Sequence, residues 1–189
     1  VTREESYLLI DFRYYETARR EVNDFEVIML TDATKQLNDL IHKHDAKCIA
    51  IEGQNMSVSE LSLYQERFPS IVFESDKLSK ALMKMRSIKS DEEIAKIEKA
   101  QRIAERAFSH ILDYIRVGIT EKDVALELDY FMLRNGAHAL SFDTIAVSGG
   151  NGSSPHGVPT DKNLSSGELL TMDFGAVVDG YHSDMTRTI

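Results

Sequence analysis

Short apolar runs alternate with amphipathic stretches along the first 75 residues. Four runs have the length and the polar flanks that are typical of strands buried on both faces, at 7–10, 27–30, 48–51 and 71–73. Three helical patterns lie between these runs, near 13–22, 33–44 and 57–67. Strands that alternate with helices of this length predict βαβ units and a mainly parallel sheet. We therefore predict a small α/β domain over residues 1–85.

A different pattern begins near residue 90, where Ser90 and Glu93 have the spacing of a capping box at a helix start. Apolar residues then recur at helical spacing, at Ile94, Ile97, Ala104, Phe108, Ile111 and Ile115. A second helix is predicted to begin at Thr120 and to stop at Gly136. The rest of the chain has the pattern of strands and turns. Residues 86–189 are therefore predicted to form an α+β domain, in which two helices precede an antiparallel sheet.

The composition is that of a globular protein, with 42% hydrophobic residues, 28% charged residues and a net charge of −9. An acidic chain without a basic block is a poor partner for phosphate backbones, so nucleic-acid binding is disfavoured. No apolar run exceeds four residues, which is too short for a transmembrane helix or the core of a signal peptide. The one cysteine, Cys48, excludes an internal disulfide framework and is predicted to be a small buried side chain. Together these features predict a cytoplasmic protein without a membrane or nucleic-acid partner.

The segment 169–189 contains a candidate metal site. Asp179-Gly180 between two apolar runs is a strong signal for a two-residue hairpin turn. That turn makes Asp173 the diagonal neighbour of Asp184 on one sheet face, about 7–8 Å apart between Cα atoms. Two carboxylates so placed can supply hard oxygen ligands to shared cations such as Mn²⁺ or Co²⁺. The alternative is that both are solvated strand residues, and the spacing alone does not separate the two interpretations.

Two other functional interpretations of this region fail. The sequence DFG at 173–175 also occurs in protein kinases, but the H-R-D loop that accompanies it there is absent. Gly150-Asn-Gly152 begins a dinucleotide-binding fingerprint, but Pro155 occupies the third glycine position. His156 follows in a loop, where a lone histidine is more often a surface residue than a functional one.

A resemblance to the pita-bread metallopeptidase family is carried by the segment PHGVPTDKNLSSGELLTMDFGAVVDGYHSDMTRT. The branch that it resembles most contains the Xaa-Pro aminopeptidases and the Xaa-Pro dipeptidases (prolidases). The matching pieces are His156, Asp173 of DFG, Asp184 of SDMTRT and the spacing between the two aspartates. The segments SFDTIAVSGGNG and MRSIKSDEEIAKIEKAQRIAERAF are also similar to this family, and LLIDFRYYETARREV resembles part of a creatinase-like N-terminal domain. The resemblance covers nearly the whole chain.

The resemblance implies a dinuclear hydrolase that cleaves Xaa-Pro peptide bonds. Asp173 would chelate one divalent ion and Asp184 would bridge two, with Mn²⁺ or Co²⁺ as the expected metals. A water between the ions would attack the scissile carbonyl. His156 would hydrogen-bond the peptide substrate, and Phe142 would contact its proline ring. The family's homodimer is expected as well.

The resemblance also implies a partial creatinase-like domain at 1–85 and the first half of a pita-bread domain at 86–189. The family's other metal ligands, one His and two Glu, lie downstream of the second aspartate, and this chain ends five residues after Asp184. We therefore expect the 189-residue chain alone to be inactive or nearly so, to bind metal weakly and to self-associate. The alternative is a non-catalytic pita-bread module that binds peptides or proteins. The presence or loss of the three remaining ligands after Ile189 distinguishes the two.

Overall fold

The computed structural model describes every residue from Val1 to Ile189. The chain folds into two compact units, Val1–Ile88 and Lys89–Ile189. None of the helices in either unit combines the length and the apolar character that crossing a membrane requires.

The first unit alternates strands with helices. Its elements are β1 (Tyr7–Ile10), α1 (Phe12–Glu21), β2 (Glu26–Met29), α2 (Ala33–Lys43), β3 (Cys48–Ala50), α3 (Val58–Arg67), β4 (Val72–Glu74) and α4 (Lys77–Ser87). Strand β1 pairs with β2 and β3 pairs with β4, in both cases parallel. The predicted α/β alternation and the parallel pairing are therefore confirmed, but the four strands form two separate two-stranded sheets and not one sheet as predicted.

Capping side chains mark the beginning of three of the four helices of the first unit. Asp11, Asp32 and Ser57 each precede a helix, and each side chain accepts a hydrogen bond from a backbone N–H of the first turn. Ser57 and Glu60 form a complete capping box, because each side chain bonds the other residue's backbone N–H. These local contacts explain why the sequence pattern located the helix starts closely.

The strands of the first unit are less buried than predicted. All four residues of β1 are half-buried, and Cys48 and Ala50 of β3 are exposed. The prediction of a buried Cys48 was therefore wrong. Side chains alternate between the two faces of a strand, and the face of β3–β4 that carries Cys48 and its partner Val72 is open to solvent.

The second unit places two helices before two antiparallel sheets. Its elements are α5 (Asp91–Tyr114), α6 (Glu121–Arg134), β5 (Ala139–Leu140), β6 (Ile145–Ser148), β7 (Leu170–Phe174), β8 (Ala176–Val178), β9 (Tyr181–His182) and β10 (Met185–Thr188). A 3₁₀ helix, Gly149–Ser153, follows β6 directly. The sheets have the strand orders β10-β7-β6 and β5-β8-β9, and all pairs are antiparallel. The predicted α+β class is confirmed.

The buried face of α5 differs from the predicted stripe. Ile111 and Ala104 are buried as expected, but Ile94 is exposed and Ile97 is only half-buried. The residues of α5 that are buried are Ala100, Ile103, Ala104, Ala107 and Ile111. Three of these five are alanines, which lets the helix approach its neighbours closely. The pattern of large apolar residues alone missed this face because alanine contributes little to it.

The sheet β10-β7-β6 has one covered face and one open face. Ala146, Met172 and Phe174 are fully buried in the core that also contains residues of α5 and α6. Their neighbours along the strands point the other way. Ile145, Asp173 and Thr186 lie directly opposite one another across the three strands, and all three are at least partly exposed. We call the side that carries these three residues the open face.

Candidate functional site

The turn between β8 and β9 has the geometry that its sequence predicts. Asp179 and Gly180 have φ angles of 50° and 81°. Positive φ at both central residues defines a type I′ turn, which matches the twist of the strands it joins. Val178 therefore lies opposite Tyr181, as expected from the Asp-Gly signal.

The register of this hairpin extends to the two aspartates. Thr186 lies opposite Asp173, and Met185 lies opposite Phe174. Asp184 directly precedes Met185, so it is the diagonal neighbour of Asp173 on the open face, as predicted. The structure therefore brings the two carboxylates to one face through strand register alone.

The two aspartates differ in their surroundings. Asp173 is half-buried in the central strand β7, and one of its carboxylate oxygens accepts a hydrogen bond from Thr186 Oγ1 at 2.7 Å. Asp184 is exposed, and its carboxylate makes no hydrogen bond or ion pair within the chain. One carboxylate is thus held by a neighbour, while the other has no polar partner within the chain.

Gly175 lies between these strands at a point of close backbone approach. A Cβ atom at this position would lie 2.0 Å from the carbonyl oxygen of Ser183 and 2.9 Å from Ser141 Oγ. Only glycine fits that space without moving the backbone. The glycine of DFG therefore allows the segments that carry Asp184 and Phe142 to approach the backbone at Gly175.

Phe142 is half-buried and lies between two anchored neighbours. Ser141 donates hydrogen bonds from its backbone N–H to Gly175 O at 2.9 Å and from its hydroxyl to Ala176 O at 3.0 Å. Thr144 donates from its hydroxyl to Asp129 of α6 at 2.5 Å. Burial raises the pKa of Asp129, and the hydrogen bond from Thr144 offsets part of that effect.

His156 lies in the loop after the 3₁₀ helix, and it is exposed. The next residue, Gly157, packs against β6, since a Cβ there would lie 3.0 Å from Val147 Cγ1. Val147 lies opposite Thr171 of β7, two residues from Asp173 on the same face. The loop that carries His156 therefore borders the open face. No hydrogen bond or ion pair joins His156 to Asp173, Asp184 or Phe142.

Sequence reasoning missed Glu121, the first residue of α6, which is fully buried. Its carboxylate accepts hydrogen bonds from Ser148, Asn151 and Thr160, which flank or belong to the loop of His156. An acidic residue in the first turn of a helix is ordinarily an exposed side chain whose negative charge interacts favourably with the helix dipole. The pattern therefore carried no signal that distinguished Glu121 from the nearby capping residue Asp123.

The residues on the open face fit part of a metal site. Asp173 and Asp184 offer the oxygen ligands that hard divalent ions prefer. No group of three or more His, Cys, Asp or Glu side chains in the chain is arranged to hold an ion. The two aspartates are therefore suited to contribute to a site, but they do not enclose an ion by themselves.

Comparison with known protein families matches both units. Residues 1–88 match the creatinase/prolidase N-terminal domain, and residues 95–189 match metallopeptidase family M24. The matches agree with the fold class predicted from the resemblance, a creatinase-like α/β domain followed by part of a pita-bread domain.

Individual relatives give the same result. The chain is 37% identical over 192 residues to the uncharacterized peptidase YqhT of Bacillus subtilis, and the match covers 100% of this chain and 53% of that protein. Among solved structures, an X-Pro aminopeptidase from Thermotoga maritima has a TM-score of 0.91 at 34% identity, with 100% of this chain and 53% of that chain covered. An Xaa-Pro dipeptidase from Bacillus anthracis has a TM-score of 0.93 at 34% identity, with the same coverage.

The chain spans about half the length of the curated relatives and structures that it matches. The family match nevertheless extends over the segment that contains Asp173, Asp184, His156 and Phe142. Together with the fold and the two aspartates on the open face, it shows that this chain belongs to metallopeptidase family M24.

Proposed function

We propose that the full-length protein is a metal-dependent peptidase that hydrolyses Xaa-Pro peptide bonds. The observation that carries this proposal is the register of the hairpin, which presents Asp173 and Asp184 on one open sheet face within a chain of family M24. Relatives named Xaa-Pro dipeptidase and X-Pro aminopeptidase support the substrate class. The fold of this chain does not separate the two modes of cleavage, because relatives of both kinds share it.

Each candidate residue has a proposed role. Asp173 and Asp184 would hold divalent ions, with two Mn²⁺ or Co²⁺ in the full-length protein. When bound, such ions lower the pKa of a coordinated water and provide hydroxide near neutral pH. His156 would donate a hydrogen bond to the peptide as negative charge develops on it. Phe142 would pack against the proline ring of the substrate. Thr186 would hold the Asp173 carboxylate in one orientation through its hydroxyl.

The activity of the 189-residue chain by itself, its oligomeric state and its location are also predictions. The 189 residues contain no closed set of metal ligands, so we propose that they lack peptidase activity when expressed alone. The homodimer and the cytoplasmic location rest on the family resemblance and on composition.

The test is a cleavage assay on the full-length protein after chelation and reconstitution with Mn²⁺ or Co²⁺. We expect metal-dependent release of the N-terminal residue from an Xaa-Pro dipeptide, from an Xaa-Pro-Yaa tripeptide or from both. Matched peptides with alanine in place of proline are the controls. Metal-independent cleavage, or equal cleavage of the alanine peptides, would contradict the proposal. Tight peptide binding without cleavage would favour a non-catalytic module instead.

A further inference from the structure

Glu121 is a fully buried carboxylate that accepts hydrogen bonds from three residues outside its own helix. Oε1 accepts from the backbone N–H of Ser148 at 2.7 Å and from its hydroxyl at 3.0 Å. Oε2 accepts from the backbone N–H of Thr160 at 3.0 Å and from its hydroxyl at 2.7 Å. The side-chain amide of Asn151 lies 3.2 Å from both oxygens. The carboxylate is therefore surrounded by donors.

These donors bracket one loop. Ser148 is the last residue of β6, Asn151 belongs to the 3₁₀ helix, and Thr160 follows the segment that carries His156. Each carboxylate oxygen thus receives one backbone N–H from one end of the segment 149–159. A single side chain of α6 joins the beginning and the end of the loop.

Burial of a charged carboxylate is costly unless hydrogen bonds compensate for the hydration that it loses. Burial by itself would raise the pKa of Glu121, but the hydrogen bonds from Thr160, Ser148 and Asn151 outweigh it and leave the pKa below its ordinary value. Lys162 supplies a nearby positive charge, since its Nζ lies 2.7 Å from Ser148 Oγ and 2.5 Å from Glu168 Oε2. Both carboxylate oxygens of Glu121 therefore accept hydrogen bonds, and the carboxylate is charged at neutral pH.

We infer that Glu121 is a positioning residue for His156, because it fixes both ends of the loop that holds His156 at the border of the open face. It contacts neither the proposed substrate nor the proposed ions, and acts through the loop. The inference deepens the proposed function and rests on it only for the role of His156. The placement of the loop stands on the hydrogen bonds of Glu121 and can be tested separately.

A carboxylate is the side-chain group that this arrangement requires. Glutamine has one acceptor oxygen and one amide NH₂, so it would satisfy one backbone N–H and turn a donor toward the other. Aspartate keeps both acceptor oxygens but is shorter by one methylene. We therefore expect Glu121→Gln to loosen one end of the loop, although the backbone bond from Lys122 N–H to Thr160 O remains, and Glu121→Asp to retain more of the restraint.

The first experiment measures amide hydrogen exchange in the full-length protein. In Glu121→Gln we expect exchange in peptides that cover 149–160 to become about tenfold faster, while peptides of β7 and β10 keep their rates. Glu127→Gln is the matched control, since Glu127 lies on the same helix and bonds His110 instead of the loop. Unchanged exchange in the loop, or an equal increase across the whole second unit, would overturn the inference. If Glu121→Gln does not fold, Thr160→Val removes one hydroxyl donor and is expected to loosen the same peptides to a smaller extent.

The second experiment asks whether Glu121 acts through His156. In the full-length enzyme, Glu121→Gln is expected to lower kcat/KM on an Xaa-Pro peptide without changing metal content. Combined with His156→Ala, it should cause no further loss beyond that of His156→Ala alone. Additive losses would show that Glu121 acts by another route and would overturn the inference. If the wild-type protein cleaves no Xaa-Pro peptide, the proposed function fails, and the exchange experiment alone decides whether Glu121 holds the loop.

Discussion

Asp173 and Asp184 are the residues on which the proposed chemistry depends most directly. We predict that Asp173→Asn or Asp184→Asn in the full-length protein lowers bound metal and turnover together, because each change keeps the side-chain shape and removes one negative charge from the proposed cation site. Metal content by atomic absorption and cleavage of an Xaa-Pro peptide measure the two quantities. Asp179→Asn is the matched control, since Asp179 lies on the same hairpin and asparagine tolerates its positive φ. Full activity in Asp184→Asn would end the metal-site interpretation.

Two acidic side chains of α6, the buried Glu121 and the half-buried Asp129, are predicted to give opposite pH dependences. Hydrogen bonds hold the folded pKa of Glu121 below its ordinary value, so Glu121 stabilises the fold above its unfolded pKa and loses this effect as pH falls through the folded pKa. The folded pKa of Asp129 lies above its ordinary value, because burial disfavours the charged carboxylate. Its stabilising effect is therefore present at low pH and is lost as pH rises through the folded value.

Thermal unfolding of the full-length variants measures this difference. Glu121→Gln should destabilise the protein by roughly 2 kcal/mol near neutral pH, and by less in acid. Asp129→Asn should leave the protein at least as stable as the wild type near neutral pH and lose any advantage in acid. Parallel pH profiles for the two variants would contradict the assignment of the two shifts.

At the scale of elements, the hairpin depends on the close backbone contact at Gly175. We predict that Gly175→Ala destabilises the second unit by roughly 3 kcal/mol, since its Cβ would overlap a backbone oxygen that cannot rotate away. Gly150→Ala is the control, because a Cβ at Gly150 meets no atom within 4 Å. Equilibrium denaturation of both variants gives the comparison. Similar stability of the two variants would contradict this prediction, since it would show that the backbone at Ser183 can move away from residue 175 at little cost in free energy.

The elements that the sequence predicted well are those with local signals. The turn at Asp179-Gly180 follows from the φ angles that these residues tolerate, and the turn then sets the register that brings Asp173 beside Asp184. Capping boxes located the starts of α5 and α6 for the same reason. Each of these signals lies within a few residues of the structure that it determines.

The features that the sequence did not predict depend on contacts between distant segments. Glu121 bonds Thr160, which lies 39 residues away, and no local pattern marks that partnership. The exposure of Cys48 depends on which face of the β3–β4 pair is covered, and a short apolar run does not contain that information. The proposed roles of His156 and Phe142 rest on family resemblance, because neither residue has a sequence pattern of its own.

For the whole molecule, the division into two units predicts where a protease cuts first. Helix α4 ends at Ser87 and α5 begins at Asp91, so Lys89 lies in the short non-helical link and is exposed. We predict that limited trypsin digestion cuts first at Lys89 and leaves two stable pieces. Lys89→Gln should slow the first cut, and trypsin should cut no other site of this variant as fast as it cuts Lys89 in the wild type. A first cut within 47–75 would contradict both the structural division and the predicted boundary near residue 85.

The content of the second unit also predicts how the 189-residue chain handles metal by itself. Asp173 and Asp184 provide two carboxylates on the open face, and no further His, Cys, Asp or Glu completes a group around them. Each carboxylate loses bound water when it coordinates the ion. Two carboxylate ligands on an open sheet replace only part of the hydration shell that the ion loses. We predict that Mn²⁺ titration by calorimetry shows no saturation at micromolar metal, and that the chain cleaves no Xaa-Pro peptide.

The full-length protein is the comparison for that measurement, because the proposed function requires it to bind the same ion tightly. The variant Asp184→Asn of the 189-residue chain separates weak binding at the aspartates from binding elsewhere on a surface with net charge −9. Weak Mn²⁺ binding that remains in Asp184→Asn is due to the negative charge of the whole chain, and added salt should weaken it by screening. Tight binding that Asp184→Asn abolishes would contradict the prediction, since it would show that these residues alone close the coordination sphere of the ion.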